Sequence, residues 1–122
     1  MKKILGLLAI LLFVGPAQAY QAPPTLSAFN PTGYATLAAT STTSRVALAT
    51  NLASTPMATT VVVLNQGAGV VYVSLGSVTV TATATTSYPI PVGQSITLVI
   101  GSATYLAAIS ASTSTVNIIT GY

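Results

Sequence analysis

Arg45 is the only ionic side chain between residues 20 and 122; the other two cations are Lys2 and Lys3, and the chain has no Asp, Glu, His or Cys. That inventory limits the chemistry severely. General acid–base catalysis draws on His, carboxylates, Lys or Cys placed near the reacting bond. Serines and threonines abound, but a hydroxyl nucleophile needs an activating base, and the chain offers no triad partner. Zinc lacks its usual ligands, and a calcium site without carboxylates would be weak. The glycines in Gly67-Ala68-Gly69 and Gly93-Gln94-Ser95 have neither the spacing nor the lysine of a phosphate loop. No autonomous enzymatic activity is expected of these residues, and no cofactor or metal.

The polar groups that remain suit contact rather than catalysis. Arg45 has two readings: a solvated chain covering apolar surface, or a donor to backbone carbonyls or a partner's carboxylate across a subunit boundary. Tyr72, Tyr88 and Tyr105 could stack on a sugar if they shared a face, although strand tyrosines more often pack at a core edge. A single Arg after residue 19 gives no footprint for nucleic acid, so no nucleic-acid partner and no small-molecule substrate are expected.

Period-two patterning supplies the elements that would carry these groups. At 52% hydrophobic and 2% charged residues, the composition is the reverse of a disordered chain. Candidate strands are Ala35–Thr40, Arg45–Thr50, Thr59–Asn65, Val70–Leu75, Val78–Thr83, Ser95–Ile100, Thr104–Ile109 and Thr115–Ile119. Asn30–Gly33 reads as a turn, Asn65–Gly69 as a hairpin loop with positive-φ glycines, and Leu75–Ser77 as a second reversal. Pro89, Pro91 and Gly93 are expected to separate strands. Val71, Val73 and Leu75, with Ile96, Leu98 and Ile100, are core candidates. The expected fold is all-β: about eight antiparallel strands in a jelly-roll-like sandwich with an extended N-terminal arm.

Three segments follow. Residues 1–19 join a basic start to the apolar run Ile4–Val14 and to Ala17-Gln18-Ala19, a secretory signal pattern with cleavage before Tyr20. The run is too short for the roughly 20 residues that span a bilayer. Residues 20–43 form the arm and a first edge strand, and residues 44–122 the sandwich. Absence of cysteine means the domain does not rely on disulfides even if exported.

The segments SRVALAT, VVVLNQGAGVVYVSLGS, YPIPVGQSITLVI and ATYLAAISASTSTVNIITGY, between Ser44 and Gly121, resemble small all-β virion structural proteins of phages and prophages, of the head-decoration or fibre type. The resemblance implies a structural protein without enzymatic activity and transfers no binding residues. A secretory signal departs from that pattern, because tailed-phage virions assemble in the cytoplasm. The alternative is a secreted bacterial surface fibre or matrix subunit assembling by strand addition.

Both readings make the protein an assembly subunit, at the virion surface or exported. Candidate interface residues are Arg45, Val61, Val63, Thr79, Thr81 and Thr83, because the Val61–Leu64 run is apolar on both faces and SVTVTATATT carries no charge to block strand addition. The expected partners are copies of the chain itself, a trimer being favoured, and a capsid or other virion protein.

Overall fold

The computed structural model describes residues 28–48 and 58–122. The front sheet contains β1 (Pro31–Ala39), β3 (Thr60–Asn65), β6 (Ser95–Val99) and β8 (Ser114–Gly121), in the order β1-β8-β3-β6. The back sheet contains β2 (Ser44–Ala47), β4 (Val71–Gly76), β5 (Tyr88–Ile90) and β7 (Tyr105–Ser110), in the order β2-β7-β4-β5. Every pairing is antiparallel. Strand β1 pairs with β8, β2 with β7, β3 with β6 and β4 with β5, which is one long hairpin folded over on itself. Folding then brings β8 beside β3 and β7 beside β4. That connectivity is an eight-stranded jelly roll.

Alternation explains the layers. In β3, Val61 and Val63 are wholly buried while Val62 and Leu64 are half-buried on the other face. Strand β8 buries Val116 and Ile118, and the back sheet contributes Val71, Val73, Ile90, Leu106 and Ala108 to the same core. Full burial of each Val, Leu or Ile side chain is worth roughly 1.5–3 kcal/mol. Leu75, Ile96 and Leu98 pack against this core while staying partly exposed, and Ile100 is buried in it.

The structure departs from the sequence reading in several places. Val78–Thr83 is not a strand: a turn closed by Val80 N–H donating to Ser77 O (3.0 Å) takes the chain out of the sheet after Gly76. The strand in that part of the chain is β5, Tyr88-Pro89-Ile90, where Pro89 is tolerated because β5 is an edge. Asn30–Gly33 is not a turn either. Asn30 exchanges backbone hydrogen bonds with Tyr122 (2.9 and 3.2 Å), and β1 begins at Pro31 with a bulge between Pro31 and Gly33.

Asn65–Gly69 is a crossover between the sheets rather than a hairpin, since β3 and β4 lie in different layers. Gly67 and Gly69 do not have positive φ; among the described residues, Gly93 (73°) and Gly101 (57°) do. Gly67 is needed for close approach, because a Cβ there would lie 2.2 Å from Ser114 Cβ. The signal segment and the arm as far as Ser27 lie outside the described residues, as does the end of the strand expected at Arg45–Thr50.

Candidate assembly surfaces

The outer face of the front sheet is built by the side chains that alternate away from the core. Register places Tyr34, Ile119, Val62 and Thr97 in one row across the four strands. A second row is Thr36, Asn117, Leu64 and Ser95, and a third joins Thr60 to Val99 and Gly121. Tyr34 Oη donates to Asn117 Oδ1 (2.9 Å) across the first two rows. Val99 is 78% exposed and Tyr34 66%. The face carries no charge and mixes hydroxyl groups with large apolar side chains.

The outer face of the back sheet is partly covered by the chain itself. Residues 77–87 lie over the row Arg45–Ala107–Ser74. Arg45 Nε donates to Val80 O, Thr43 Oγ1 to Ala82 O (3.4 Å), and the Ser74 and Ser87 hydroxyls share a hydrogen bond (2.7 Å). Ala107 points away from the core yet is fully buried, and Ala82 is 2% exposed, as a covering segment requires. Thr79, Thr81 and Thr83 face water on this flap. The alternation of SVTVTATATT therefore records a chain lying on a surface; its Val80 and Ala82 carbonyls bond side chains instead of a ladder.

Beside the flap is an open cleft of about 290 Å³ lined by Ser41, Tyr72, Ala84, Ile109, Ser110 and Ala111. Its lining offers one aromatic ring and no charge. The three tyrosines do not form a stacking platform. Tyr72 and Tyr105 share the outer face but are separated by the covered Ala107 row, while Tyr88 alternates with the inward side of its sheet, opposite Val73.

One end of the sandwich is closed by a buried polar clasp. Asn65 Nδ2 donates to Gly69 O (2.8 Å) and to Ile90 O (2.9 Å), and Asn65 Oδ1 accepts from Gly67 N–H (2.9 Å). Ser110 Oγ donates to Val70 O (2.8 Å), and Gly69 N–H donates to Ser114 Oγ (3.2 Å). Residues from both sheets meet here, and the only polar side chains in the group are wholly buried and bonded. The role is structural: the clasp holds the β3–β4 crossover against β5 and β8. Sequence reasoning missed it, although a lone Asn ending an apolar strand before two glycines was the available signal.

The structure sorts the sequence-derived interface residues. Val61 and Val63 are corrected: both are 0% exposed in the core, because the buried parity of β3 falls on them, and Val62 and Leu64 are the residues that face outward. Thr79, Thr81 and Thr83 are exposed but belong to the flap, not to a strand edge. Arg45 is exposed and bonded to a carbonyl of its own chain. The structure thus brings Arg45 near the threonine stretch and separates both from Val61 and Val63. Comparison of the chain with protein families, curated proteins and solved structures finds no match in any of the three.

Proposed function

We propose that the protein is a non-enzymatic structural subunit that packs against copies of itself, and that its setting is a virion surface, as a capsid decoration, minor capsid or fibre protein. The observation that carries the assembly reading is the outer face of the front sheet. Tyr34, Ile119, Val62 and Val99 stand there among Thr, Ser and Asn without one charged group. Contiguous uncharged apolar surface of this kind is an association surface, and a domain near zero net charge has little protection against association. The virion setting is supported by the sequence resemblance and by the recurrence of jelly rolls in viral capsid domains, an analogy of fold that lectins and cupins share.

The test is light scattering on protein at micromolar concentration, followed by co-sedimentation with capsids and electron microscopy. A mass of several chains with capsid binding is expected. A monodisperse monomer that binds no capsid overturns the reading. The pattern Ile4–Val14 followed by Ala17-Gln18-Ala19 favours a second setting, a secreted surface fibre, for which filaments formed without capsids are the expected image.

A further inference from the structure

The two sheets have four edges, and three carry a device that discourages added strands. Strand β1 has Pro31 and a bulge at its start. Strand β2 is four residues long and presents Arg45, and β5 is three residues long and contains Pro89. Short strands, proline, bulges and charge are the recognised protections of an edge. At one end of the β1–β2 side the connecting chain is held to β7, where Thr40 O accepts from Ser110 N–H (2.9 Å). Strand β6, Ser95-Ile96-Thr97-Leu98-Val99, has no proline, charge or bulge.

Its hydrogen-bonding direction follows from the ladder. Ile100 N–H donates to Thr59 O (2.9 Å) and Asn65 N–H to Gln94 O (3.0 Å), so the even-numbered residues of β6 point their backbone groups at β3. In an antiparallel ladder these pairs alternate, which turns the N–H and C=O of Ser95, Thr97 and Val99 toward the open edge. Among the described residues no strand pairs with that side. Ile96 and Leu98, though packed against the core, are only partly buried, unlike Val61 and Val63 opposite them on β3.

We propose that the β6 edge is the site at which a second copy of this chain docks, β6 against β6, antiparallel about a two-fold axis at Thr97. The inference rests on the self-assembly reading above. The sequence of β6 is self-complementary in that register: Ile96 meets the partner's Leu98, Ser95 meets the partner's Val99, and Thr97 meets its own copy. The partly buried Ile96 and Leu98 then cover one another, and about six backbone hydrogen bonds form across the axis. The two front sheets become one continuous sheet, and the uncharged outer faces become a single surface. A two-fold makes a dimer the unit of assembly, where the resemblance to virion proteins favoured three chains.

Two variants of the full chain, purified without denaturant, test this. Thr97→Pro removes an N–H that the β3 ladder does not use, so the fold tolerates it while strand addition is blocked. Its assembly mass should fall to half that of the wild type, while the monomer still unfolds cooperatively with a melting temperature that no longer depends on protein concentration. Thr97→Cys uses the absence of native cysteine. A hydrogen-bonded antiparallel pair sets the Cα atoms about 5.5 Å apart, within disulfide range. Oxidation should therefore give a covalent dimer, whereas Thr36→Cys, on β1 of the same face, should stay at one chain mass.

A wild-type protein that is monomeric overturns both this inference and the assembly reading. A wild-type assembly whose mass is unchanged by Thr97→Pro, with no Thr97→Cys dimer, overturns the β6 edge alone. Loss of assembly in Thr97→Pro without a Thr97→Cys dimer assigns the edge to another occupant and overturns the second copy. If Thr97→Pro does not fold, the cysteine pair decides.

Discussion

Replacing Asn65 by alanine should cost this protein a large part of its stability. The side chain is wholly buried and makes three hydrogen bonds, to Gly69 O, Ile90 O and Gly67 N–H. Each such bond contributes about 0.5–1.5 kcal/mol net, and groups left buried without a partner cost about 1–3 kcal/mol each. Gly69 O keeps a bond from Ser114 Oγ (3.3 Å) and Ile90 O faces Val71 in the β4–β5 ladder, so the loss falls mainly on Gly67 N–H. The expected total is about 3 kcal/mol, or roughly 15 °C in melting temperature for a domain of this size. Urea unfolding should show the lower midpoint with an unchanged slope. Asn65→Asp sharpens the reasoning. It keeps an acceptor for Gly67 N–H but sets a second acceptor against the Gly69 and Ile90 carbonyls. Burial and those carbonyls raise the folded-state carboxyl above its unfolded value. The folded state then holds the proton to higher pH than the unfolded state does. Stability of Asn65→Asp is therefore greatest below about pH 4 and is lost as pH rises through the folded value. A loss under about 1 kcal/mol for Asn65→Ala, or a pH-independent Asn65→Asp, refutes the clasp as a stabilising unit.

The remaining expectations are simpler. The wild-type melting temperature should be flat between about pH 5 and pH 8, because no Asp, Glu, His or Cys is present and only the chain termini bind protons differently there; a calorimetric shift above about 5 °C contradicts this. Arg45→Met keeps an apolar stem but removes the donor to Val80 O. Amide exchange in residues 80–87 should then quicken about tenfold while global unfolding is nearly unchanged, and unaltered exchange would show that Arg45 does not hold the flap. Gly67→Ala places a Cβ 2.3 Å from the Ser114 Cα, so β8 or the crossover must shift; chemical denaturation should show a loss above about 2 kcal/mol, and wild-type stability would refute the close approach.

Most of the layer structure was legible because burial in a small sandwich imposes a period of two. Val71 and Val73 in β4, and Ile96 and Leu98 in β6, alternate with polar residues, and each set faces the core as expected. Alternation fails where something other than a ladder supplies the two environments. SVTVTATATT alternates because Val80 and Ala82 lie on the back sheet while its threonines face water, and a pattern of faces carries no information about who accepts the hydrogen bonds. The Val61–Leu64 run failed differently. Apolar on both sides, it left the parity open, and only the neighbouring strands show that the odd-numbered residues are buried. Turn signals were also ambiguous: Asn65-Gln66-Gly67 serves a crossover as well as a hairpin, since glycine meets a demand for space as readily as one for positive φ.

The distribution of edge protections bears on what an uncharged surface means. If the scarcity of charge left the whole molecule open to strand addition, the four edges would be equally bare. Instead the chain's one Arg beyond residue 19 stands on β2, a proline breaks β5 and another opens β1 beside a bulge. These devices have local costs: Pro89 forgoes a backbone donor, and a bulge forfeits ladder bonds. They act at three edges and are missing from the fourth. On the fourth, as on β1 with Leu37 and β2 with Val46, core-facing side chains are only partly buried, so β6 presents unused backbone groups together with incompletely buried apolar surface. Either feature alone occurs on ordinary edge strands. Their coincidence at β6, against protected edges elsewhere, is the argument for the proposed docking of a second copy there.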